Sequence, residues 1–268
     1  MTKYEPREYW SQLLESHYSV RGTAYAHLPR RLNHYLYRTQ RDSVRRLLRD
    51  RRLRPTRVLD IGFGTGEWLR FWMKQGVREL VGLDLTRHAV EEGLKRFPGV
   101  ELLQADISAD GAIPQGFDVV SAMSVLLHVT EEERFEQALR NIRTALLPEG
   151  RLIVIDPIVV HHRWGPPFDD RANSRARSLD QWREALGRAG FELEILRPAT
   201  SVLANPADTR FELSYRALEL YWSTLGRIVD NSEVRGALVG APLSALDRVL
   251  TRLLPNGPST KLLLARAA

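Results

Sequence analysis

The fold is decided by the stretch Arg57-Val58-Leu59-Asp60-Ile61-Gly62-Phe63-Gly64-Thr65-Gly66-Glu67-Trp68-Leu69. Apolar, partly β-branched residues lead into an acidic residue, three glycines follow at alternate positions, and a helical pattern begins after the last glycine. This order predicts a strand, a tight turn and a helix N-terminus. Glycine permits a positive φ and lets a ligand approach the main-chain N–H groups there. The turn is therefore the first candidate binding site.

A second predicted strand, Leu80-Val81-Gly82-Leu83-Asp84, ends in a carboxylate eighteen residues after Gly66. In an open α/β sheet, an acidic residue at the end of the second strand can hold the two hydroxyls of a ribose. The glycine turn and Asp84 together predict a site for a nucleoside.

These residues resemble the first motif of the class I S-adenosylmethionine-dependent methyltransferases, which is an acidic residue followed by Gly-x-Gly-x-Gly. Asp60, Gly62, Gly64 and Gly66 match that motif position by position. Nicotinamide oxidoreductases use Gly-x-Gly-x-x-Gly instead, so the glycine spacing disfavours that enzyme class. The segments 102–107 and 117–122 continue the resemblance in the same order, so that it covers residues 55 to 160.

The resemblance implies a doubly wound, seven-stranded, mostly parallel sheet that binds S-adenosylmethionine and releases S-adenosylhomocysteine. It implies that Asp84 holds the ribose, that Asp106 accepts a hydrogen bond from the adenine amino group, and that the Ile107 N–H meets the adenine ring. It also implies that a Tyr-Arg pair in the N-terminal segment closes over the cofactor and holds its carboxylate. The alternative interpretation is that Tyr35 and Tyr37 pack at a helix junction. The predicted cofactor-binding residues are Tyr37, Arg38, Asp60, Gly62, Gly64, Gly66, Asp84, Leu85, Asp106, Ile107 and Ser121.

The candidate catalytic residues follow the fourth and fifth predicted strands. His128 is a candidate general base because the ordinary histidine pKa of about 6.5 suits proton removal from a hydroxyl or amine. A structural histidine below the cofactor is the alternative interpretation. Asp156 and His161 are candidates for a second base. His161, His162, Asp169 and Asp170 also share one loop, but their spacing does not favour a metal site.

The composition fits one α/β domain with additions. The chain has 268 residues, 43% of them hydrophobic, and no cysteine. The absence of cysteine excludes disulfides, thiolate metal sites and the thiol nucleophile that methylation of cytosine carbon 5 requires. No apolar run is long enough to span a membrane, and no signal-like segment follows the charged N-terminus, so we expect a cytoplasmic protein.

The positive charge lies in the N-terminal segment. Residues 1–57 hold 14 Lys and Arg against 5 Asp and Glu, whereas the rest of the chain holds 25 against 28. Such a segment can dock an anionic substrate, or it can be a solvated, arginine-rich helix.

Two additions to the sheet are predicted. Residues 1–54 form an N-terminal helical cap, and residues 55–268 form the cofactor-binding domain. Within that domain, residues 198–258 form a helical insertion before the last strand, comprising one long helix, a short segment near Val234–Leu238 and a further helix. A wide apolar face on this insertion indicates a lid over an acceptor pocket, a dimer contact, or simply a cover for one sheet face.

These observations predict a methyltransferase that acts on an oxygen or nitrogen of a small molecule or of a glycan or lipid precursor. The first alternative is a nucleic-acid methyltransferase that uses the basic N-terminal segment. The second is a catalytically silent protein that keeps the fold as a cofactor-binding scaffold.

Overall fold

Seven strands of the described chain form one mixed sheet. The computed structural model describes residues 4–111, 113–165 and 172–268. The strand order is β3-β2-β1-β4-β5-β7-β6, and only β7 runs antiparallel to its neighbours. This order confirms the predicted fold class. The strands are β1 Arg57–Ile61, β2 Glu79–Asp84, β3 Glu101–Gln104, β4 Phe117–Met123, β5 Leu146–Asp156, β6 Phe191–Pro198 and β7 Lys261–Ala267.

Helices cover both faces of the sheet, and a short 3-10 turn, Leu126–His128, follows β4. The helices of the described residues are α1 Pro6–Ser16, α2 Arg30–Asp50, α3 Glu67–Lys74, α4 Arg87–Arg96, α5 Glu132–Ala145, α6 Leu179–Arg188, α7 Glu212–Val229 and α8 Glu233–Leu253. The central strands are buried on both faces, which explains why their sequences are nearly continuous apolar runs.

The turn between β1 and α3 depends on its glycines. Gly62, Gly64 and Gly66 have φ values of 65°, 51° and 82°. A Cβ on Gly66 would lie 2.2 Å from the Phe97 ring, so a side chain is excluded there by packing as well as by backbone conformation. The main chain therefore stays bare where the strand meets the helix.

The C-terminal insertion differs from its prediction in two respects. The short segment and the following helix are one helix, α8, which continues through Pro242. Because Pro242 is exposed, the carbonyl that it leaves unpaired can bond to water. In addition, α8 packs on α2 largely through small and polar side chains, with Val239 and Leu243 partly buried beside them, whereas Val234, Leu238, Leu246, Val249 and Leu253 are exposed. The buried residues are Gly236, Gly240, Ser244, Asp247 and Thr251.

The prediction of a lid at residues 198–258 is not matched by the position of these helices. Helix α7 packs on Leu28, Leu32 and the segment around Leu203. Neither α7 nor α8 contributes a residue to the cavity above the strand ends that is described below.

Along the described ranges 4–111, 113–165 and 172–268, no helix is both long and apolar enough to cross a bilayer.

Candidate functional site

A cavity lies at the carboxyl ends of β1, β2, β3 and β4. Its empty volume is about 1160 Å³, part of which is open to solvent. This position is where open α/β sheets bind their ligands. The cavity is lined by the glycine turn, the ends of β2 to β4, the segment after β4, and the first residues of the chain. These residues include Tyr4, Trp10, Tyr37, Gly62, Gly64, Asp84, Leu85, Asp106, Ile107, Ser124 and His128.

Asp84 is held in the cavity wall by hydrogen bonds from the glycine turn and from the residues that follow β2. Its Oδ2 accepts a hydrogen bond from the Gly64 N–H at 2.8 Å, and its Oδ1 accepts from the main chain and the hydroxyl of Thr86, both at 2.9 Å. An ionised carboxylate has about four acceptor sites, and with a further main-chain bond from Leu85 all four are engaged, so a ribose diol would replace or share some of these donors. Burial raises the pKa of Asp84, and these hydrogen bonds lower it. The structure thus joins the glycine turn directly to the predicted ribose ligand.

Asp106 lies in the same cavity but is engaged by neighbouring side chains. Its Oδ1 accepts from the main chain and hydroxyl of Ser108, and its Oδ2 pairs with the Arg134 guanidinium at 2.6 Å. Arg134 was not predicted from the sequence, because α5 reaches Asp106 only through the tertiary fold. Arg134 fixes the orientation of the carboxylate that the resemblance assigns to the adenine.

Asp60 and Ser121 form a buried layer beneath the glycine turn and do not line the cavity. They are direct neighbours in the β1–β4 register, so their side chains point to the same sheet face. The Ser121 hydroxyl donates to Asp60 at 2.6 Å and accepts from the Trp72 indole N–H at 2.9 Å. Burial raises the pKa of Asp60 to about 7, against the lowering effect of the Ser121 bond. In this structure both residues support the turn from below.

The Tyr37-Arg38 pair is divided between two surfaces. Tyr37 lines the cavity, and its hydroxyl donates to the Thr23 carbonyl at 3.1 Å. Arg38 is exposed and lies in a separate groove on the outer face of α2. Consecutive residues on a helix point about 100° apart, because one turn takes 3.6 residues. The structure therefore does not bring Arg38 to the cavity.

His128 lies in the cavity wall with one ring nitrogen bound. Its Nδ1 makes a short hydrogen bond to the main-chain carbonyl oxygen of Asn173. The edge of the Trp10 ring packs against the imidazole, with ring centroids 4.7 Å apart. Burial lowers the pKa of His128 to about 4, so the imidazole is neutral at pH 7.

The other two candidate bases lie elsewhere. Asp156 is buried at the end of β5 and does not line the cavity; burial raises its pKa well above the ordinary value. His161 is exposed, and its main-chain N–H donates to Asp208. The described residues hold no group of three or more metal-ligating side chains. Asp169 and Asp170 lie outside the described residues.

The sequence analysis did not identify two parts of the cavity wall. Helix α1 and the residues before it supply Tyr4, Glu5 and Trp10. Ser124, directly after β4, has a φ of 59°, which is unusual for a residue other than glycine. The periodicity of α1 indicated a buried face but not its partner, and no local sequence signal marks a strained serine.

Comparison with known proteins relates part of this chain to methyltransferases. Residues 58–150 match a family model described as a methyltransferase domain. The probable tRNA methyltransferase 9B of Mus musculus is 29% identical over 143 residues, which are 53% of this chain and 29% of the mouse protein. The chain spans between 29% and 56% of the length of the curated relatives that it matches.

Solved structures show the same fold. An S-adenosylmethionine-dependent methyltransferase from Clostridium acetobutylicum has a TM-score of 0.56 at 11% identity, covering 87% of this chain and 92% of its own. The O-methyltransferase from a trans-AT PKS multienzyme of Brevibacillus brevis, in complex with S-adenosyl-L-homocysteine, has a TM-score of 0.53 at 18% identity. That match covers 80% of this chain and 67% of the Brevibacillus chain.

The matched residues 58–150 contain most of β1, the glycine turn and Asp84. The bare main chain of the turn and the position of Asp84 in the cavity wall fit a nucleoside cofactor. Residues 58–150 therefore match a methyltransferase domain, and the chain has the fold of solved S-adenosylmethionine-dependent methyltransferases.

Proposed function

We propose that the protein transfers a methyl group from S-adenosylmethionine to an oxygen or nitrogen of a small molecule, or of a glycan or lipid precursor. One observation carries this proposal: the glycine turn, two acidic strand ends and a neutral histidine line a single cavity. When bound, the cofactor would supply an activated methyl group on a sulfonium. The protein's task is then to align the acceptor and exclude water.

The cofactor-binding roles follow from which polar groups line the cavity. Asp84 would accept from the ribose hydroxyls, and Asp106, oriented by Arg134, would accept from the adenine amino group. The main chain at Gly62 and Gly64 would face the methionine part, because these two residues have no side chain in the wall. Asp60 would act indirectly, by supporting the turn.

His128 is the candidate general base. The Asn173 carbonyl can only accept a hydrogen bond, so Nδ1 carries the proton and Nε2 keeps its lone pair. With a pKa of about 4, the ring is unprotonated over most of the pH range in which the protein would act. It can therefore receive a proton from a hydroxyl or amine without losing one first.

A compact acceptor fits the enclosure of the site. Helix α1, Tyr37 and the segment after β4 surround the cavity, and aromatic rings from Tyr4 and Trp10 form part of its wall. The similar Brevibacillus enzyme is an O-methyltransferase, which supports an oxygen acceptor.

The test is methyl transfer from isotope-labelled S-adenosylmethionine to a panel of hydroxyl and amine acceptors, followed by His128→Ala. We expect kcat to fall about 100-fold, as for loss of a general base. Affinity for S-adenosylhomocysteine, measured by calorimetry, should change less than about twofold. His161→Ala is the matched control and should leave kcat unaltered, because His161 is exposed and outside the cavity.

The acid limb of the pH–rate profile gives a second check. Because burial lowers the pKa of His128, activity should persist well below pH 6.5 and fall only toward about pH 4. An unchanged kcat in His128→Ala would reduce this residue to a packing role. Absence of any cofactor binding by the wild-type protein would favour a different function altogether.

A second candidate function is methylation of nucleic acid, and a groove on the outer face of α2 favours it. The groove is lined by Arg30, Arg31, His34, Tyr35, Arg38, Arg41 and Glu233. The Glu233 oxygens each accept a main-chain N–H from the start of α2, at 2.9 Å, so this acid caps the helix. A cationic groove with an aromatic side chain is typical of single-stranded nucleic-acid binding, and the similar mouse protein is named a probable tRNA methyltransferase.

Fluorescence anisotropy with a labelled single-stranded RNA tests this candidate. We expect Arg31→Glu combined with Arg38→Glu to weaken binding at least tenfold and to reduce its salt dependence by about two phosphate contacts. Arg87→Glu is the control, because this exposed arginine lies on α4 and is paired with Glu91. Equal loss in the control would show a non-specific charge effect.

A further inference from the structure

The N-terminal helix is connected to His128 through a residue of another loop. Asn173 uses its main-chain carbonyl oxygen to accept from His128 Nδ1. The side-chain amide of the same residue donates to the Tyr9 hydroxyl at 2.7 Å. Tyr9 belongs to α1, whose neighbouring residue Trp10 lines the cavity. One asparagine therefore joins the helix that covers the cavity to the ring nitrogen that sets the tautomer of the histidine.

We propose that Tyr9 is a positioning residue that couples closure of α1 over the cavity to the tautomer of His128. The proposal rests on the proposed function in that it takes His128 as the general base. In the arrangement described here, the carbonyl of Asn173 holds the proton on Nδ1, and Nε2 stays available as the basic atom. If Asn173 turns away, the ring is free to place its proton on Nε2, which removes the lone pair from that atom.

The contacts around this chain of residues show why Tyr9 matters to Asn173. On the far side, the loop is fixed by a main-chain bond in which the Arg175 N–H donates to the Leu127 carbonyl at 2.8 Å. On the near side, the Tyr9 hydroxyl receives the Asn173 side chain. Loss of the hydroxyl would therefore free the residue that faces His128 while the rest of the loop stays anchored.

Helix α1 makes a second contact with His128, through Trp10, in addition to the link through Tyr9 and Asn173. The Trp10 ring meets the His128 ring edge-on at 76°, and the Trp10 indole N–H donates to the Tyr4 hydroxyl at 3.1 Å. Tyr4, Trp10 and His128 all line the cavity. The same movement of α1 that would open the cavity would therefore withdraw Tyr9 from Asn173. In the open state, the histidine loses its fixed tautomer until α1 closes again.

The experiment compares Tyr9→Phe with wild type by two readings. Protein labelled with ¹⁵N in the imidazole rings reports the tautomer of His128 directly, and the signal is assigned with His128→Gln. We expect Tyr9→Phe to shift part of the His128 population from the Nδ1–H to the Nε2–H tautomer. We expect kcat to fall three- to tenfold, with KM and S-adenosylhomocysteine affinity within about twofold of wild type.

Two further variants make the outcome specific. Asn173→Ala removes the side-chain amide but keeps the carbonyl, and it should reproduce the effect of Tyr9→Phe. The double variant should be no worse than either single one, because both break one linkage. Tyr215→Phe is the matched control, since the Tyr215 hydroxyl bonds to Glu219 within α7 and should affect neither reading.

The tautomer reading separates this proposal from the proposed function. An unchanged tautomer in Tyr9→Phe overturns the proposal, whatever happens to activity. A shifted tautomer with unaltered kcat also overturns it, provided that His128→Ala lowers kcat. If His128→Ala leaves kcat intact, the assignment of His128 as general base fails, and with it the catalytic part of the coupling.

Discussion

The two helical additions to this sheet bury opposite kinds of surface. Helix α1 and the residues before it bring Tyr4, Trp10 and Leu14 to the cavity above the strand ends. Helix α8 turns a small and polar stripe toward α2, and most of its larger apolar side chains, Leu238 and Val249 among them, are exposed. The Ser244 hydroxyl, for example, meets the Thr39 hydroxyl at 2.9 Å. One addition therefore belongs to the site, and the other belongs to the scaffold that holds α2.

This difference shows that the partner of a helix decides which face it buries. Tyr35 packs so closely on α8 that a Cβ at Gly240 would lie 2.4 Å from its ring. Only small residues permit that approach, so the large residues of α8 are left on the other side. Variants in α1 and at the strand ends should therefore change ligand binding. Variants in α7 and α8 should change the stability of the fold.

The largest effect is expected in the scaffold, for Asp247→Ala. The Asp247 side chain is fully buried, and its carboxylate accepts the main-chain N–H groups of Ser201, Val202 and Leu203. Its loss leaves these donors unpaired, which should lower the free energy of unfolding by about 3 kcal/mol. Chemical denaturation measures this effect, and Asp247→Asn, which keeps one acceptor oxygen, should cost about half as much. A change of S-adenosylhomocysteine affinity in the folded variant would contradict the separation of the two regions.

At the site, Asp84→Ala should weaken S-adenosylhomocysteine binding about 100-fold, or about 2.7 kcal/mol. The carboxylate both holds the glycine turn through Gly64 and is the predicted ribose ligand. Calorimetry gives the affinity. Asp84→Asn keeps one oxygen and should lose less. Unchanged affinity in Asp84→Ala would remove the ribose assignment and place the nucleoside elsewhere.

A smaller effect on the same quantity is expected for Trp10→Ala in α1. The indole covers the cavity but bonds to Tyr4, so its loss opens the wall without removing a predicted hydrogen bond to the ligand. Affinity for S-adenosylhomocysteine should fall about tenfold, or 1.4 kcal/mol, mainly through faster dissociation. Stopped-flow measurement of the dissociation rate tests this. Faster dissociation in a variant of α8 instead would reverse the roles given to the two additions.

What the sequence predicted correctly was carried by local patterns. The glycine turn and the carboxylate after β2 are encoded by neighbouring residues, so the family resemblance that they carry gave the fold class and the cofactor. The division between Tyr37 and Arg38 was not predicted, because a two-residue motif ignores the angle between successive helix positions. The contacts of Asn173 and Arg134 could not be predicted, because their partners are distant in sequence. Asn173 lies 45 residues from His128, and Arg134 lies 28 residues from Asp106. The face that α8 buries was not predicted, because an apolar pattern on the insertion does not show which element packs against it.

The smallest effect is expected on the outward stripe of α8, where Leu238 is 71% exposed and Val249 is 49% exposed. If α8 is held by its small and polar face alone, Leu238→Ser and Val249→Ser remove little buried area. Each should then change the free energy of unfolding by less than about 0.5 kcal/mol. A dimer contact, one of the three alternatives for the insertion, would behave differently, because a second copy seated on this stripe would make stability depend on protein concentration. Denaturation at two concentrations, with sedimentation of both variants, separates the cases. A decrease in the free energy of unfolding of more than about 1 kcal/mol that grows with protein concentration would mean that the stripe is covered in solution. In that case α8, like α1, would bury its apolar face.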